Sequence, residues 1–423
     1  MSDLSHRFSE ARITVVGSDG LPLTRTPVSV EQVQHGFGFG NIGFDFVEWL
    51  GGPPKHPGGR AIEFFGGELP SDAPALAATW LELFNMVTLP FYWRGFEPEQ
   101  GQTETTRLLA TAEWFAARGV EVKGHPLVWH TLTPEWLLQL DDDDAEAAIR
   151  DRITNIVTDF SGVINHWDAI NEAVILPVFA AEDNAVTRLA RRKGRIGMIE
   201  MAVSVARDAN PGARLVLNDF DLSPSYETLI RECLDAGIEI DAIGLQTHMH
   251  QGYRGEDAIS QVLERFSKFG LPLQLTETTL LSGDLMPREI VDLNDYIVDS
   301  WPSTADGEAR QADEIARHYR TVVAHPAVES LTYWGITDAG AWLGAPSGLL
   351  RRDGSSKPAY DALHALVRDE WWYPATGHTT DDSGALTVRG FAGTYRVTTG
   401  VGSAEVTLGS GQENVVATVR ESR

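Results

Sequence analysis

Short apolar runs alternate with longer amphipathic segments from about residue 36 onward, and this alternation organises most of the chain. The apolar runs have the length and composition of buried β-strands. They are residues 36–40, 84–88, 120–124, 163–170, 214–218, 240–246, 271–277 and 331–335. The segments between them, such as residues 105–119 and 145–160, place apolar residues on one face of a helix. Eight strand–helix repeats predict an α/β protein built as a (β/α)8 barrel, the TIM barrel, over residues 36–372.

The two ends of the chain carry a different pattern, in which apolar and polar residues alternate as in half-buried strands. Residues 11–34 contain two such runs, and residues 385–419 contain four more, separated by glycine-rich turns. Neither end has enough apolar surface for a stable sheet of its own. We therefore expect residues 1–35 and 373–423 to combine as one small accessory β-sandwich, with residues 373–384 as a linker. Two unrelated appendages are the alternative.

The charge of the chain restricts its partners. With 34 basic and 60 acidic residues, the formal net charge is -26, which disfavours binding to nucleic acid or anionic lipid.

Cys233 is the only cysteine, so no intrachain disulfide can form. The N-terminus has no signal-peptide pattern, and no run approaches the roughly 18 apolar residues of a membrane span. We expect a cytoplasmic protein with no membrane partner, although a secreted chain trimmed of its leader would look the same.

Two motifs that could indicate a cofactor or a metal are present only in part. Gly38, Gly40 and Gly43 have the spacing of a dinucleotide-binding loop, but a segment rich in Gly and Pro follows where a helix is required. These glycines instead suit a first strand that packs tightly against its neighbours. The four acids at residues 141–144 precede a predicted helix and complement its dipole. No Cys/His cluster has zinc spacing, so we predict neither a cofactor nor a metal.

The strand ends carry the candidate chemistry, because the functional face of such a barrel is built from the C-terminal ends of its strands. Glu172 follows the fourth predicted strand and Glu277 ends the seventh. Strands four and seven face each other across the mouth of a closed barrel. Two carboxyl groups that meet there can cleave a glycoside, one as proton donor and one as nucleophile or charge stabiliser. A salt-bridged structural role is the alternative for either glutamate taken alone.

Amide, imidazole and indole side chains occupy the other strand ends. They are His125, Trp129, His130, Asn218, Asp219, Gln246, His248 and Trp334. Aromatic faces stack on the C–H-rich surfaces of sugar rings, while amides and imidazoles bind hydroxyl groups. Any one of these residues alone would more often be a buried structural group. Their joint position at predicted strand ends favours a sugar-binding cleft, with His130, Asn218 and Asp219 in supporting positions.

Five segments at these strand ends resemble, in order and spacing, the signature segments of glycoside hydrolase family 10, the retaining endo-β-1,4-xylanases. They are GHPLVWH, WDAINEA, GLQTHMH, LQLTETT and TYWGITD, and the similarity extends over roughly residues 36–370. The resemblance implies a TIM barrel that cleaves β-1,4-xylosidic bonds by double displacement. Its ligand would be a xylo-oligosaccharide or a related glycoside.

The resemblance also implies a role for each residue. Glu172 would be the general acid/base and Glu277 the nucleophile, with His248 hydrogen-bonded to the nucleophile. Burial near Trp167 and a second carboxylate should push Glu172 toward its protonated form. The residues implied to contact sugar, the last three as a wall on the glycone side, are Asn171, His125, Gln246, Trp129, Trp334 and Trp342.

One segment departs from the family pattern. After the second strand, family members carry a Pro-Glu-Asn segment and a nearby lysine that bind the second sugar on the glycone side. Residues 88–101 instead contain Phe91, Tyr92 and Trp93, and Arg94 stands where it could replace the lysine. The aromatic residues either pack the barrel rim or close the second subsite. A closed subsite would suit an exo-acting enzyme, short oligosaccharides or an unusual plant glycoside.

The sequence thus predicts a retaining glycoside hydrolase that acts on xylan-derived oligosaccharides. One alternative keeps the chemistry but moves it to a plant glycoside or saponin, as in tomatinase-like members of the family. The other is a non-catalytic carbohydrate-binding protein on a decayed hydrolase barrel. The intact set of Asn171, Glu172, His248 and Glu277 favours catalysis, because decay should have eroded it.

Overall fold

The computed structural model describes residues 3–55 and 72–420. In this part of the chain, two strands, β1 (Phe8–Val16) and β2 (Pro27–His35), lead into eight parallel strands that form a closed barrel. The barrel strands are β3 (Gly38–Ile42), β4 (Met86–Pro90), β5 (Glu121–His125), β6 (His166–Asn171), β7 (Arg214–Asp219), β8 (Ala242–His248), β9 (Leu273–Thr279) and β10 (Val328–Tyr333). Pairing of β10 with β3 closes the sheet. All eight predicted runs overlap these strands, so the prediction of a (β/α)8 barrel is confirmed.

Helices alternate with the barrel strands and cover the outside of the sheet. They are α1 (Val47–Gly51), α2 (Ala73–Leu83), α3 (Trp93–Phe96), α4 (Thr105–Ala116), α5 (Asp142–Asp159), α6 (Ala185–Ala209), α7 (Pro224–Asp235), α8 (Glu256–Ser267), α9 (Ala305–Val323) and α10 (Pro358–His364). The acids at residues 141–144 lie at the start of α5, where the Asp141 carboxylate accepts the N–H groups of Asp143 and Asp144. Among the described residues, no helix combines the length and apolar character needed to cross a membrane.

The first barrel strand packs closely against the last, and glycine makes this approach possible. A Cβ atom on Gly40 would lie 2.6 Å from the Thr332 Oγ1, and one on Gly38 would lie 2.7 Å from the Ser330 Cβ. Both contacts are shorter than carbon and oxygen atoms tolerate. The glycine-rich run at the start of the barrel therefore serves closure of the sheet.

The strands at the two ends of the chain pair with one another. The C-terminal strands are β11 (Thr376–Thr379), β12 (Ala385–Phe391), β13 (Gly393–Thr399), β14 (Gly402–Leu408) and β15 (Gly411–Thr418). One sheet has the order β12-β1-β15, with β1 antiparallel to β12 and parallel to β15. The other has the order β11-β2-β13-β14. Each sheet thus contains one N-terminal strand between C-terminal strands.

One apolar cluster joins these two sheets. It includes Ile13 and Val30 from the N-terminal strands and Leu386, Tyr395 and Val397 from the C-terminal strands. These extra strands confirm the terminal part of the predicted fold class. The expectation of a linker at residues 373–384 was wrong in part, because β11 pairs with β2 inside this segment. The limits 1–35, 36–372 and 373–423 stay a prediction.

We predict that Ile13→Ala lowers the free energy of unfolding by about 2–5 kcal/mol, because it leaves a cavity where a side chain with no exposed surface was packed. The matched control is Val416→Ala on the neighbouring strand β15. The Val416 side chain is 61% exposed, so its truncation should change the free energy by less than about 0.5 kcal/mol. Urea denaturation followed by circular dichroism measures both. Equal midpoints would contradict a shared core between the ends of the chain.

Candidate active site

Two glutamates lie at the C-terminal end of the barrel, at the ends of strands on opposite sides of the barrel. Glu172 directly follows β6, and Glu277 is the fifth residue of β9. Both are largely buried, with side chains 14% and 7% exposed. Glu172 has a φ of 58°, in the left-handed region that residues other than glycine rarely adopt. Its N–H donates to the Asn218 carbonyl at 2.8 Å, so the next strand holds this strained backbone in place.

A network of amide side chains connects the two glutamates. The Asn218 Nδ2 donates to the Asn171 Oδ1 at 2.8 Å and to the Glu277 Oε1 at 2.9 Å. The Gln246 Nε2 donates to the same Asn171 oxygen at 3.1 Å and to the Glu172 Oε1 at 3.3 Å. The Asn171 Nδ2 also donates to the Glu172 Oε1, at 3.2 Å. The structure therefore brings five of the residues named from sequence into one buried hydrogen-bonded cluster.

Two histidines lie near different oxygens of the Glu277 carboxyl group. The His248 Nε2 lies 3.0 Å from the Glu277 Oε2, and the His125 Nε2 lies 3.9 Å from the Oε1. With the amide of Asn218, three nitrogen-bearing side chains therefore surround this carboxyl group. Groups that can donate hydrogen bonds stabilise a carboxylate in its charged form.

Glu172 has a different environment. Burial raises the pKa of Glu172 to about 8, and the nearby charge of Glu277 adds to this, although the indole N–H of Trp129 opposes it with a hydrogen bond of 2.8 Å to the Oε2. The His130 Nε2 lies 3.8 Å from the same oxygen, but burial lowers the pKa of His130 to about 3, so this imidazole is neutral. Burial and a nearby carboxyl group thus favour the protonated form of Glu172, whereas nitrogen-bearing side chains surround Glu277.

A buried ion pair behind the site was not predicted from the sequence. The Lys123 Nζ lies 2.8 Å from the Asp168 Oδ1, and the His125 Nδ1 lies 2.7 Å from the Asp168 Oδ2. Burial opposes ionisation of Asp168, but the neighbouring Lys123 and His125 outweigh it and lower the pKa of this carboxyl group. The sequence contained only part of this arrangement: Lys123 and His125 are two residues apart on one strand and therefore point to the same side, but their shared partner Asp168 lies on another strand.

Aromatic side chains form a wall beside the histidines. The ring of Trp342 lies 4.7 Å from that of His248, and the ring of Trp334 lies 5.3 Å from that of His125. Tyr92 continues the wall, with its ring 5.4 Å from Trp129 and 5.6 Å from His125. The three tryptophans predicted to wall the cleft are therefore close to the two histidines.

The segment after β4 that differs from the family pattern contributes one side chain to the barrel core and another to this wall. Phe91 is fully buried and packs on Trp167, so it belongs to the barrel core. Tyr92 clusters with Phe44 and Trp334 and is only 5% exposed. Arg94 donates to the Thr133 carbonyl at 3.0 Å and pairs with Glu182 at 3.2 Å. These contacts anchor Arg94 on neighbouring loops, and its role in binding sugar stays a prediction.

Asp219 supports the backbone around Glu172. Its Oδ2 accepts the Val174 N–H at 2.9 Å, and its Oδ1 accepts the Asp221 N–H at 2.9 Å. Burial raises the pKa of Asp219 to about 7 despite these hydrogen bonds. The loop that follows β6 is thereby tied to the end of β7. Among the described residues, no group of three or more His, Cys, Asp and Glu side chains has the arrangement of a metal site.

Comparison with known proteins gives a consistent result. Residues 70–366 match the family model of glycosyl hydrolase family 10. The chain is 28% identical over 267 residues to an endo-1,4-beta-xylanase of Geobacillus stearothermophilus, a match that covers 58% of this chain and 75% of that protein. It is also 25% identical over 314 residues to the anti-sigma-I factor RsgI6 of Acetivibrio thermocellus, covering 72% of this chain but only 36% of the relative.

Solved structures share the fold. Xylanase 10B of Thermotoga petrophila in complex with xylobiose has a TM-score of 0.58 at 23% identity, covering 79% of this chain and 94% of that one. A glycoside hydrolase of the same family from Paenibacillus barcinonensis has a TM-score of 0.61 at 23% identity, covering 79% and 95%.

The raised pKa of Glu172 predicts a pH-dependent stability. In the unfolded chain this carboxyl group titrates near its ordinary value of 4.5, whereas in the folded chain it titrates near about 8. Between these values the unfolded state has lost a proton that the folded state keeps. The stability from this group is therefore full below about pH 4.5 and is lost as the pH rises through about 8.

Glu172→Gln, which cannot ionise, should become steadily more stable relative to the wild type across this pH window. Thermal unfolding of both proteins at several pH values between the two limits measures the difference. A difference in melting temperature that stays constant with pH would contradict the assigned environment of Glu172.

Proposed function

The chain belongs to glycosyl hydrolase family 10, and from this we propose that it cleaves β-1,4-xylosidic bonds in xylan-derived oligosaccharides by double displacement. The observation that carries the proposal is the linkage of Glu172 and Glu277 through one buried amide network. Xylobiose, which the Thermotoga petrophila xylanase holds, is the model for the ligand. The cytoplasmic location expected from the sequence is part of the proposal, and fractionation of the native host tests it.

In the first step, a Glu277 oxygen attacks the anomeric carbon of the sugar while the bond to the leaving oxygen breaks. Glu172 donates its proton to that leaving oxygen, so the departing sugar leaves as a neutral alcohol. The pKa of Glu172, raised to about 8 mainly by burial, keeps this proton in place at neutral pH. The product is a covalent glycosyl ester on Glu277.

In the second step, water replaces the departed sugar. Formation of the ester removes the negative charge of Glu277, and with it one of the causes that hold the pKa of Glu172 high. Glu172 then ionises and takes a proton from the water as that water attacks the anomeric carbon. The ester bond breaks, Glu277 regains its charge, and the sugar is released with its original anomeric configuration.

Recognition of the sugar is assigned to the groups around this pair. Asn171 and Gln246 lie on the network at Glu172 and are proposed to bind sugar hydroxyls, as is His125. The aromatic wall supplies apolar faces for the ring. Trp129 also fixes the Glu172 carboxyl group through its indole N–H.

Kinetics of glutamate variants test the chemistry. Glu277→Ala should lower kcat on aryl β-xylosides by about 10^4-fold or more, because the nucleophile is lost. Glu172→Ala should lose most of its kcat/KM on xylobiose. It should lose much less kcat/KM on an aryl xyloside with a strongly acidic leaving group, because kcat/KM reports the first step and this leaving group needs no proton donor. The control Glu329→Gln removes a carboxyl group near the opposite end of the barrel, where Glu329 pairs with Arg214, and should keep its kcat.

Full activity of Glu277→Ala would end the proposal. Turnover of any glycoside by the wild type would exclude the purely binding alternative. Turnover of plant glycosides or saponins but not of xylo-oligosaccharides would move the same chemistry to the other substrate class.

The aromatic wall favours short substrates within this proposal. Phe44, Tyr92 and Trp334 pack together and are 4%, 5% and 3% exposed, and Tyr92 belongs to the segment with which family members bind the second glycone sugar. We propose that this packing leaves room for one sugar on that side of the scissile bond. We therefore expect action from the non-reducing end of an oligosaccharide rather than within a long chain.

Tyr92→Ala should open this region. For the wild type, kcat/KM on an aryl β-xylobioside should be no higher than on the aryl β-xyloside, because a second sugar finds no space. For the variant, the ratio of the two should rise by about tenfold, comparable to one good contact. The ratio cancels any loss of folded enzyme. A wild-type ratio already far above one would show that the second subsite is open.

A further inference from the structure

Thr279 lies two residues beyond Glu277 on β9, on the same side of the strand, and its hydroxyl group stands between two histidines. The Thr279 Oγ1 is 3.3 Å from the His248 Nδ1 and 3.3 Å from the His250 Nδ1. It also accepts the backbone N–H of Met249 at 3.1 Å, a hydrogen that the Thr279 carbonyl shares at the same distance. The other nitrogen of His248 faces Glu277. A single hydroxyl group therefore connects His250 to the histidine that contacts the proposed nucleophile.

Counting hydrogen atoms restricts how this group can bond. A threonine hydroxyl has one hydrogen to donate and two lone pairs to accept with. One lone pair faces the Met249 N–H, which the hydroxyl shares with the Thr279 carbonyl, so one donated and one accepted hydrogen bond remain for the two histidines. If Thr279 donates to His248, then His250 must donate to Thr279, and the reverse arrangement holds otherwise. The tautomers of His248 and His250 are therefore coupled through Thr279.

An ionised Glu277 selects one of these arrangements. A carboxylate accepts hydrogen bonds only, so the His248 Nε2 must carry a hydrogen toward it. When His248 is neutral, its Nδ1 is then a bare acceptor, and Thr279 is the group that donates to it. His250 is fully buried and neutral, since burial lowers its pKa to about 3, and its Nε2 has no hydrogen-bond partner among the described residues. His250 can thus supply its single hydrogen at Nδ1.

We propose that Thr279 is a positioning residue that holds His248 as the Nε2–H tautomer, within a chain of donors that runs from His250 through Thr279 and His248 to Glu277. The inference rests on the proposed function, because it assumes that Glu277 is the charged nucleophile. Hydrogen bonds aligned in one direction polarise one another, so the last donor is strengthened by those behind it.

The two histidines around Glu277 are supported in different ways. His125 is backed by the carboxylate of Asp168 at 2.7 Å, whereas His248 is backed by a hydroxyl group. A carboxylate stabilises the imidazolium form, but a hydroxyl group does so far less. The group behind His248 therefore adds no negative charge beside Glu277.

The titratable groups that surround this pair come from several strands. Facing Glu277 or its immediate partners are His125, Lys123, Asp168, Glu172, Tyr92 and His250. None of these side chains is changed by substitution at position 279. A shift in the pH profile of a Thr279 variant is therefore assigned to the His248–Glu277 pair.

The test is the pH dependence of kcat/KM on an aryl β-xyloside for three variants. The acid limb of this profile reports the ionisation of the base in the free enzyme. Thr279→Val keeps the shape but removes the hydroxyl, so the acid limb should move to higher pH by roughly half a unit or more, with about a tenfold loss in kcat/KM. Thr279→Asp places a carboxylate behind His248, so the acid limb should move to lower pH. Thr279→Ser should restore the wild-type profile.

Thr278→Val is the matched control. It removes the neighbouring buried hydroxyl, which bonds to Thr247 rather than to a histidine, so its acid limb should coincide with that of the wild type.

A second measurement covers the case in which Thr279→Val does not fold. The ¹⁵N resonances of labelled histidine in the wild type, assigned with His248→Asn, still report the tautomer, which should be Nε2–H. An Nδ1–H tautomer, or acid limbs that do not move in opposite directions for Val and Asp, would overturn the proposal. A wild type with no glycosidase activity and an Nε2–H tautomer would instead refute the proposed function alone.

Discussion

Burying two carboxyl groups side by side is the constraint on which the site depends. An uncompensated buried charge would cost more free energy than a small number of packing contacts supplies. The closed sheet meets this constraint by presenting amide, indole and imidazole nitrogens from neighbouring strands. Asn218 is the central element, because its two amide hydrogens reach Asn171 and Glu277 at once. Without closure of the barrel, these groups would belong to separate surfaces.

The same closure makes the two glutamates chemically different. Glu277 is approached by several nitrogens that can donate hydrogen bonds, whereas Glu172 is buried and has another carboxyl group nearby, so its pKa rises to about 8. Position on the strand contributes as well. Glu277 lies inside β9, next to a register shift in the pairing with β8, but Glu172 stands just past a strand end with a left-handed φ of 58° and contacts Gln246 and Trp129. The strained backbone is held by β7, so the geometry does not relax when charge moves.

Support for the reacting groups extends one layer deeper into the barrel. Lys123 and Asp168 hold His125, and Thr279 and His250 stand behind His248. The layer behind His125 contains an ion pair, whereas the layer behind His248 contains a hydroxyl group and a neutral imidazole. Tyr92 and Trp334 of the aromatic wall are buried beside these groups, and apolar surroundings strengthen electrostatic interactions. The side chains proposed to recognise the sugar are therefore neighbours of those that surround the Glu277 carboxyl group.

The sequence by itself determined the barrel, the extra strands at both ends and the two glutamates, because periodicity and strand-end position are local properties of the chain. It also contained Lys123, Asp168 and Thr279, but their partners lie on other strands, so their pairing was not readable from spacing. The tertiary structure alone decided that Phe91 enters the core while Tyr92 joins the wall, and that Arg94 pairs with Glu182. It also decided that residues 376–379 form a strand instead of a linker, because a strand needs a partner and β2 supplies it. Each of these outcomes depends on contacts between residues far apart in sequence, which no local pattern specifies.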